Sequence, residues 1–186
     1  MLLLAHNPRG YVGASVFGAS LITAYGTSAL YHRLPWGRRM FGLMRRFDHA
    51  MIFFLIAGTY TPFCLLALNN AWGITLLSVT ASIAGLGALT QIAWLNAPRW
   101  LSVSLYLATG WVALVAASQI LQRLDFAPLT LLLIGGVAYS VGAIAYATKR
   151  PNPWPRIFGY HEVFHSFTIM GSTSHFLAVA VFLLPK

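Results

Sequence analysis

Apolar positions along the chain fall into runs of about 20 residues, and short polar or proline-containing segments separate the runs. Because about 20 apolar residues in a helix cross the hydrocarbon core of a bilayer, this pattern predicts an all-α, polytopic transmembrane helix bundle. We place the spans at about 11–33, 46–68, 72–95, 100–122, 127–148 and 160–184. These six spans leave no room for a separate soluble domain, so we expect a single transmembrane domain over residues 1–186.

Composition agrees with a membrane location. The chain is 58% hydrophobic and only 8% charged, whereas a soluble globular domain is typically about 25% charged. The formal net charge of +9 could suggest nucleic acid as a partner. However, the basic residues lie in short loops between apolar spans, so membrane topology and anionic lipid headgroups explain them better. We therefore expect membrane lipid as a partner and no nucleic acid.

Basic residues are divided unevenly between the two ends of the predicted spans. One end holds nine of them, which are Arg33, Arg38, Arg39, Arg45, Arg46, Arg99, Lys149, Arg150 and Arg156. The other end, with both termini, holds three, which are Arg9, Arg123 and Lys186. Since cytoplasmic loops carry the excess of lysine and arginine, the first end is predicted to be cytoplasmic and both termini to lie outside. The expected location is the cell membrane, or the inner membrane of a Gram-negative cell.

Rare ionisable residues gather at that same predicted cytoplasmic end. Asp48 opens the second span, His32 ends the first, and His161, Glu162 and His165 open the sixth. Ionisable groups at the end of a membrane helix are costly unless they are paired, hydrated or bound to a metal. Segments far apart in sequence thus bring candidate functional residues to one membrane depth.

Helical spacing predicts a metal site among them. His161 and His165 are four residues apart, so both rings project from one face of a helix, about 6 Å apart along its axis. A third imidazole from His32 would complete a three-histidine zinc site with a fourth position open to water. Ser28, one turn before His32, could orient that histidine or touch the bound water. Asp48 could hold the water and accept its proton.

Each of these residues also has a simpler interpretation when it is taken alone. The two later histidines could bind lipid headgroups or cap neighbouring groups, and His32 could be an ordinary interfacial histidine. Asp48 could pair with Arg45 or Arg46. Ser28 could bond to the backbone of its own helix. The coincidence of all of them at one depth is what favours the metal.

Two further patterns bear on the chemistry. The segment from His161 to His165 fits H-E-x-x-H, a metalloprotease signature in which Glu162 would be the base. The metzincin extension would place a third histidine at position 171, where this chain has Gly171, and no carboxylate follows Glu162. His175, about 15 Å deeper than His165, is expected to be a hydrogen-bonded interior histidine. His49 is expected beside the metal site or at the membrane interface.

At these residues the chain resembles the hemolysin III branch of the progestin and adipoQ receptor (PAQR) family. The matching segments are Ser28–His32, Asp48–His49, Ile56–Phe63, Leu105–Tyr106 with Gly110–Trp111, Gly135–Tyr139 and His161–His165. The resemblance implies seven helices, of which the first is missing here and Met1–Ala5 would be its tail. It also implies that His32, His161 and His165 bind Zn²⁺, that Asp48 lies beside the metal-bound water and that Ser28 is the serine of the shared motif.

The resemblance further implies a function. Relatives are assigned ceramidase-like activity, so we expect hydrolysis of a lipid amide by a zinc-bound water, with Asp48 as the base. A second hypothesis is a cytolytic pore, as the name hemolysin records. A third is a receptor-like or membrane-homeostasis protein with structural zinc. An open fourth metal position would distinguish the first hypothesis from the third.

Overall fold

A computed structural model of the chain describes residues 1–94 and 97–185, and it is 85% helical. Within these ranges it contains no β-strand. The long helices are α1 Pro8–Arg33, α2 Arg38–Leu68, α3 Ala71–Ala93, α4 Arg99–Arg123, α5 Phe126–Thr148 and α6 Tyr160–Leu183. The all-α class predicted from the hydrophobic pattern is confirmed, and every predicted span corresponds to one of these helices.

The protein is a multi-pass membrane protein, although its six helices are not equally apolar. By length and composition, α2 to α6 are long and apolar enough to cross a bilayer. Helix α1 has 26 residues, among them four glycines, three serines, two threonines and three tyrosines, which lower its hydropathy. Its small residues allow close packing: a Cβ added at Gly13 would lie 3.1 Å from the backbone of Pro62 in α2. Such residues are typical of helix contacts inside membrane bundles.

The start of α2 differs from the prediction. The helix begins at Arg38, eight residues before the predicted start at residue 46. Arg38 and Arg39 therefore lie in its first turn and not in a loop. Arginine is a good helix former, so the helix can begin in this charged segment, before the apolar run starts. About two turns of α2, roughly 12 Å, thus precede the apolar segment.

The other boundaries agree to within three residues where they can be compared. Residue 95, the predicted end of the third span, lies outside the described residues. The sixth predicted span ends at residue 184, and α6 ends at Leu183.

Helix α4 is interrupted in the middle, which the hydrophobic pattern did not predict. A 3₁₀ segment, Trp111–Ala116, separates two α-helical parts. The hydroxyl of Tyr60 in α2 donates to the Gly110 carbonyl at 2.6 Å and accepts from the Ala113 N–H at 2.9 Å. The Trp111 indole donates to Ser140 of α5 at 2.9 Å. These hydrogen bonds to neighbouring helices lie at the point where the hydrogen bonding of α4 changes from α-helical to 3₁₀.

Contacts between helices are most numerous for α1 with α2 and for α5 with α6, followed by α2 with α3. An apolar cluster near the end of the bundle that holds the N-terminus includes Phe17, Leu55, Phe63 and Val179, contributed by α1, α2 and α6. At the opposite end, the C-terminus of α1 meets the N-terminus of α6, and the predicted metal-site residues lie there.

Candidate metal centre

Three histidine rings converge at this end of the bundle. His32 is the second-last residue of α1, while His161 and His165 lie in the first two turns of α6. Nε2 of His161 is 3.3 Å from Nε2 of His32 and 3.1 Å from Nε2 of His165. One ligand nitrogen from each ring lies within 4.8 Å of those of the other two. His32 is exposed, and the other two rings are half-buried.

The spacing of these nitrogens fits a tetrahedral zinc ion. Nitrogens that bind zinc at about 2.0–2.1 Å in tetrahedral geometry lie about 3.3 Å from one another. Two of the three separations are 3.3 and 3.1 Å, and the third is at most 4.8 Å. A small movement of His32 or His165 would therefore complete a three-nitrogen set.

A cluster of hydrogen-bonded imidazoles is the alternative explanation for these short distances. Each ring nitrogen offers either one N–H or one lone pair in the plane of the ring. Nε2 of His161 has two imidazole nitrogens within 3.3 Å, and it can make a good hydrogen bond to only one of them. A cation shared by three lone pairs satisfies all three nitrogens, so the donor set fits a zinc ion better.

Asp48 and His161 line the same small cavity. Its volume is about 20 Å³, enough for roughly one water molecule. The Asp48 side chain is 13% exposed, and one of its oxygens lies 3.8 Å from Nδ1 of His49. The structure thus places a carboxylate and a candidate ligand around a space the size of a water molecule.

Ser28 lies one helical turn before His32 on α1 and is half-buried. Within residues 1–94 and 97–185, Ser28 is not among the residues that line the cavity shared by Asp48 and His161. The structure therefore places Asp48, and not Ser28, at the cavity that His161 lines. A role for Ser28 in orienting His32 stays a prediction.

Glu162 caps the start of α6. Its carboxylate accepts a hydrogen bond from the Gly159 N–H at 2.8 Å and its side chain is exposed. A carboxylate in the first turn is also favoured by the positive end of the helix dipole. This arrangement accounts for Glu162 without a role as a catalytic base.

Tyr146 lines the small cavity and Arg99 contacts this tyrosine, although no pattern in the sequence singled out either residue. Nδ1 of His49 is 2.7 Å from the Arg45 carbonyl, which only accepts, so this nitrogen carries the proton. Nε2 of the same ring lies 3.4 Å from the Tyr146 hydroxyl. The Arg99 guanidinium stacks on the Tyr146 ring, 4.8 Å from its centroid. Tyrosine and arginine are common at any membrane interface, so neither residue type marked a site in the sequence.

His175 lies in the interior. It is 7% exposed, and its Nε2 donates to the Leu132 carbonyl at 3.1 Å. This bond agrees with the predicted hydrogen-bonded interior histidine.

A large apolar cavity leads away from the candidate metal centre. It has a volume of about 390 Å³ and is lined by residues of α2 to α6. Along α2 it extends from Ile52 to Leu68, about 24 Å at the rise of an α-helix. Four residues line both this cavity and the small one, and they are Ile52, Tyr106, Ala143 and Phe164. The apolar cavity therefore reaches the walls of the candidate metal centre.

Comparison with known proteins agrees with this architecture. A family model described as "Haemolysin-III related" matches residues 2–176. The Hemolysin-3 homolog of Bacillus subtilis (strain 168) is 35% identical over 168 residues, which cover 90% of this chain and 76% of that protein. Hemolysin-3 of Bacillus cereus is 34% identical over 176 residues, covering 94% and 76% respectively. The heptahelical transmembrane protein ADIPOR2 of Oryza sativa subsp. japonica is 29% identical over 187 residues, covering 90% and 80%.

Proposed function

Because the chain belongs to the haemolysin-III related family of membrane proteins, we propose that it is a zinc-dependent hydrolase of a lipid amide of the ceramide type. The observation that carries this proposal is the convergence of three imidazole nitrogens beside a water-sized cavity lined by Asp48. Three nitrogen ligands leave a coordination position open, which is the pattern of catalytic zinc sites and not of structural ones.

His32, His161 and His165 would hold the metal, each through Nε2. A zinc ion in such a site makes a water molecule a better nucleophile and polarises a carbonyl oxygen. The Asp48 carboxylate would accept the proton of the attacking water and pass it to the amide nitrogen as the amine leaves. Water and amide thus give a carboxylic acid and an amine. Tyr146, hydrogen-bonded to His49, closes the small cavity on the side of α5.

The apolar cavity supports a lipid substrate. Its volume of about 390 Å³ falls within the range of roughly 300–1,000 Å³ that is usual for ligand sites. Phe164 and Tyr106 line both cavities, so an acyl chain in the larger one would bring its carbonyl group towards Asp48 and His161. A membrane lipid could supply such a chain directly from the bilayer.

Gly136→Leu is expected to lower turnover of a long-chain ceramide roughly tenfold, mainly through a higher KM, because overfilling an apolar site costs about 1–3 kcal/mol. A Cβ at Gly136 would meet only the Trp111 ring, at 3.8 Å, so a larger side chain there would enter the cavity. The measurement is ceramide turnover by purified protein with zinc quantified in the same samples.

Gly85→Leu is the matched control. A Cβ at Gly85 has no heavy atom within 4 Å, and this glycine is exposed on α3. It should leave turnover unchanged. Equal activity of the two variants would contradict acyl binding in the cavity, and zinc-loaded wild type that hydrolyses no ceramide would contradict the proposed activity.

We also propose that the protein lies in the cell membrane. The metal centre would then face the cytoplasm. Nine basic residues lie at the end of the bundle that holds the metal centre, including Arg38 in the first turn of α2. Two lie at the other end, Arg9 and Arg123, and Lys186 lies outside the described residues. This asymmetry is the usual signature of the cytoplasmic side.

Cysteine labelling of intact cells can test this orientation. Arg38→Cys is expected to resist a membrane-impermeant maleimide, and Arg123→Cys is expected to react, since both positions are exposed at opposite ends of the bundle. The native Cys64 is buried and should give little background. In inverted membrane vesicles, Arg38→Cys should react and Arg123→Cys should resist labelling. Labelling of Arg38→Cys in intact cells would overturn the orientation.

A further inference from the structure

Three hydroxyl groups from three helices meet inside the bundle. The Ser172 hydroxyl in α6 lies 2.7 Å from the Tyr25 hydroxyl of α1 and 2.6 Å from the Tyr139 hydroxyl of α5. The Tyr25 hydroxyl also lies 3.1 Å from the Thr168 carbonyl. Ser172 is only 5% exposed, so these groups depend on one another for hydrogen bonds.

The direction of each hydrogen bond follows from the one group that cannot donate. The Thr168 carbonyl only accepts, so Tyr25 donates its single proton to it. The Tyr25 oxygen then accepts from Ser172, and the Ser172 oxygen accepts from Tyr139. Each hydroxyl in this chain donates once. The two distances between hydroxyl groups fall in the normal range, and the distance from Tyr25 to the Thr168 carbonyl is slightly longer. We call this set the hydroxyl chain.

On both α1 and α6, the hydroxyl chain lies the same number of residues from a candidate metal ligand. Tyr25 is seven residues before His32 on α1, and Ser172 is seven residues after His165 on α6. Seven residues make about two helical turns, or roughly 10 Å, and return to nearly the same helix face. Helices α1 and α6 are therefore connected at two levels on the faces that they turn towards each other. One connection is the hydroxyl chain, and the other is the histidine cluster.

From this geometry we infer that Tyr25, Ser172 and Tyr139 are positioning residues that set the depth and rotation of α1 against α6, so that His32 reaches His161 and His165. The inference rests on the proposed function, because it concerns the same metal centre.

The packing of the bundle leaves α1 and α6 with few direct contacts to each other. Helix α1 packs mainly on α2, and α6 mainly on α5, so the ligands belong to different helix pairs. In a bilayer, lipid tails are as apolar as the helices, and the hydrophobic effect gives little control over how two helices meet. Directed hydrogen bonds between the pairs supply that control.

Gly171 supports a specific fit at the hydroxyl chain. A Cβ at this position would lie 2.9 Å from the Tyr139 ring, closer than side chains normally approach. Glycine next to Ser172 thus lets the tyrosine ring lie close against α6 and place its hydroxyl on the serine. A glycine at position 171 is therefore what this close contact between Tyr139 and α6 requires.

Ser172→Ala is expected to weaken zinc binding about 3- to 20-fold, the range that corresponds to losing a hydrogen bond between membrane helices. Tyr25→Phe, which keeps the ring, should weaken it in the same direction. Ser172→Thr restores a hydroxyl and should recover most of the affinity. The measurement is competition with a chromophoric zinc chelator in detergent, with helix content followed by circular dichroism.

Thr173→Ala is the control, since Thr173 is exposed on the same turn of α6. If wild type binds zinc and Ser172→Ala binds it as tightly as Thr173→Ala, the positioning role is wrong while the metal centre stands. Equal weakening in Ser172→Thr and Ser172→Ala would also overturn it, because the hydroxyl would then not be the cause. If wild type binds no zinc, the proposed function itself fails.

Discussion

Substitution of His161 by alanine is expected to remove almost all zinc from the purified protein, which should otherwise carry about one ion per chain. Nε2 of His161 is the nitrogen closest to both other rings, at 3.3 and 3.1 Å. Its loss leaves two nitrogens from different helices, and these cannot form a closed site. The zinc content of wild type and variant, measured by mass spectrometry after dialysis, gives the result directly.

His6→Ala provides the comparison for a histidine outside the site. His6 is exposed near the N-terminus, at the opposite end of the bundle. Its substitution should leave one zinc per chain. Full zinc content in a protein that lacks both His161 and His165 would end the assignment of this metal centre.

Asp48→Asn is expected to reduce ceramide hydrolysis by about 10²–10⁴-fold while most of the zinc stays bound. The substitution keeps the size of the side chain and removes the group that accepts a proton. Asp48 lines the water-sized cavity together with His161, and no other acidic side chain lines it within the described residues. Turnover and zinc content should be measured in the same preparations.

Glu162→Gln separates this mechanism from a metalloprotease. Glu162 caps α6 through the Gly159 N–H, so its substitution should change hydrolysis little and cost at most modest stability. A protease that used H-E-x-x-H would show the reverse pattern, with turnover of a membrane peptide lost in Glu162→Gln. A cytolytic pore would show lysis that neither variant alters. Undiminished ceramide hydrolysis by zinc-loaded Asp48→Asn would disprove the proposed role of this residue.

The sequence was sufficient to predict the helices because bilayer thickness dictates the length of an apolar run. The sequence was less informative where a charged segment is also helical. Arg38 and Arg39 were assigned to a loop because they lie between the apolar runs that end at residue 33 and begin at residue 46, yet they form the first turn of α2. The break in α4 at Trp111 was also missed, because it depends on hydrogen bonds from Tyr60, about fifty residues away.

The candidate ligands were predictable for a different reason. Histidine is rare inside membrane spans, so His32 and the pair in α6 stood out against an apolar background. The hydroxyl chain did not stand out. A serine or tyrosine in a membrane helix usually bonds locally or lies at an interface, and nothing in the local sequence connects Tyr25 with Ser172, 147 residues later.

The division of the candidate ligands between α1 and α6 has a consequence for biosynthesis. The codons for His32 and His161 are 129 positions apart. At about 5–20 residues per second, a ribosome needs on the order of ten seconds to travel between them. A nascent chain would therefore pass through most of its membrane insertion unable to bind zinc in this way, and would gain that ability only when α6 enters the bilayer. Metal loading would then follow the insertion of α6, and chains released before that step would lack the complete set of candidate ligands.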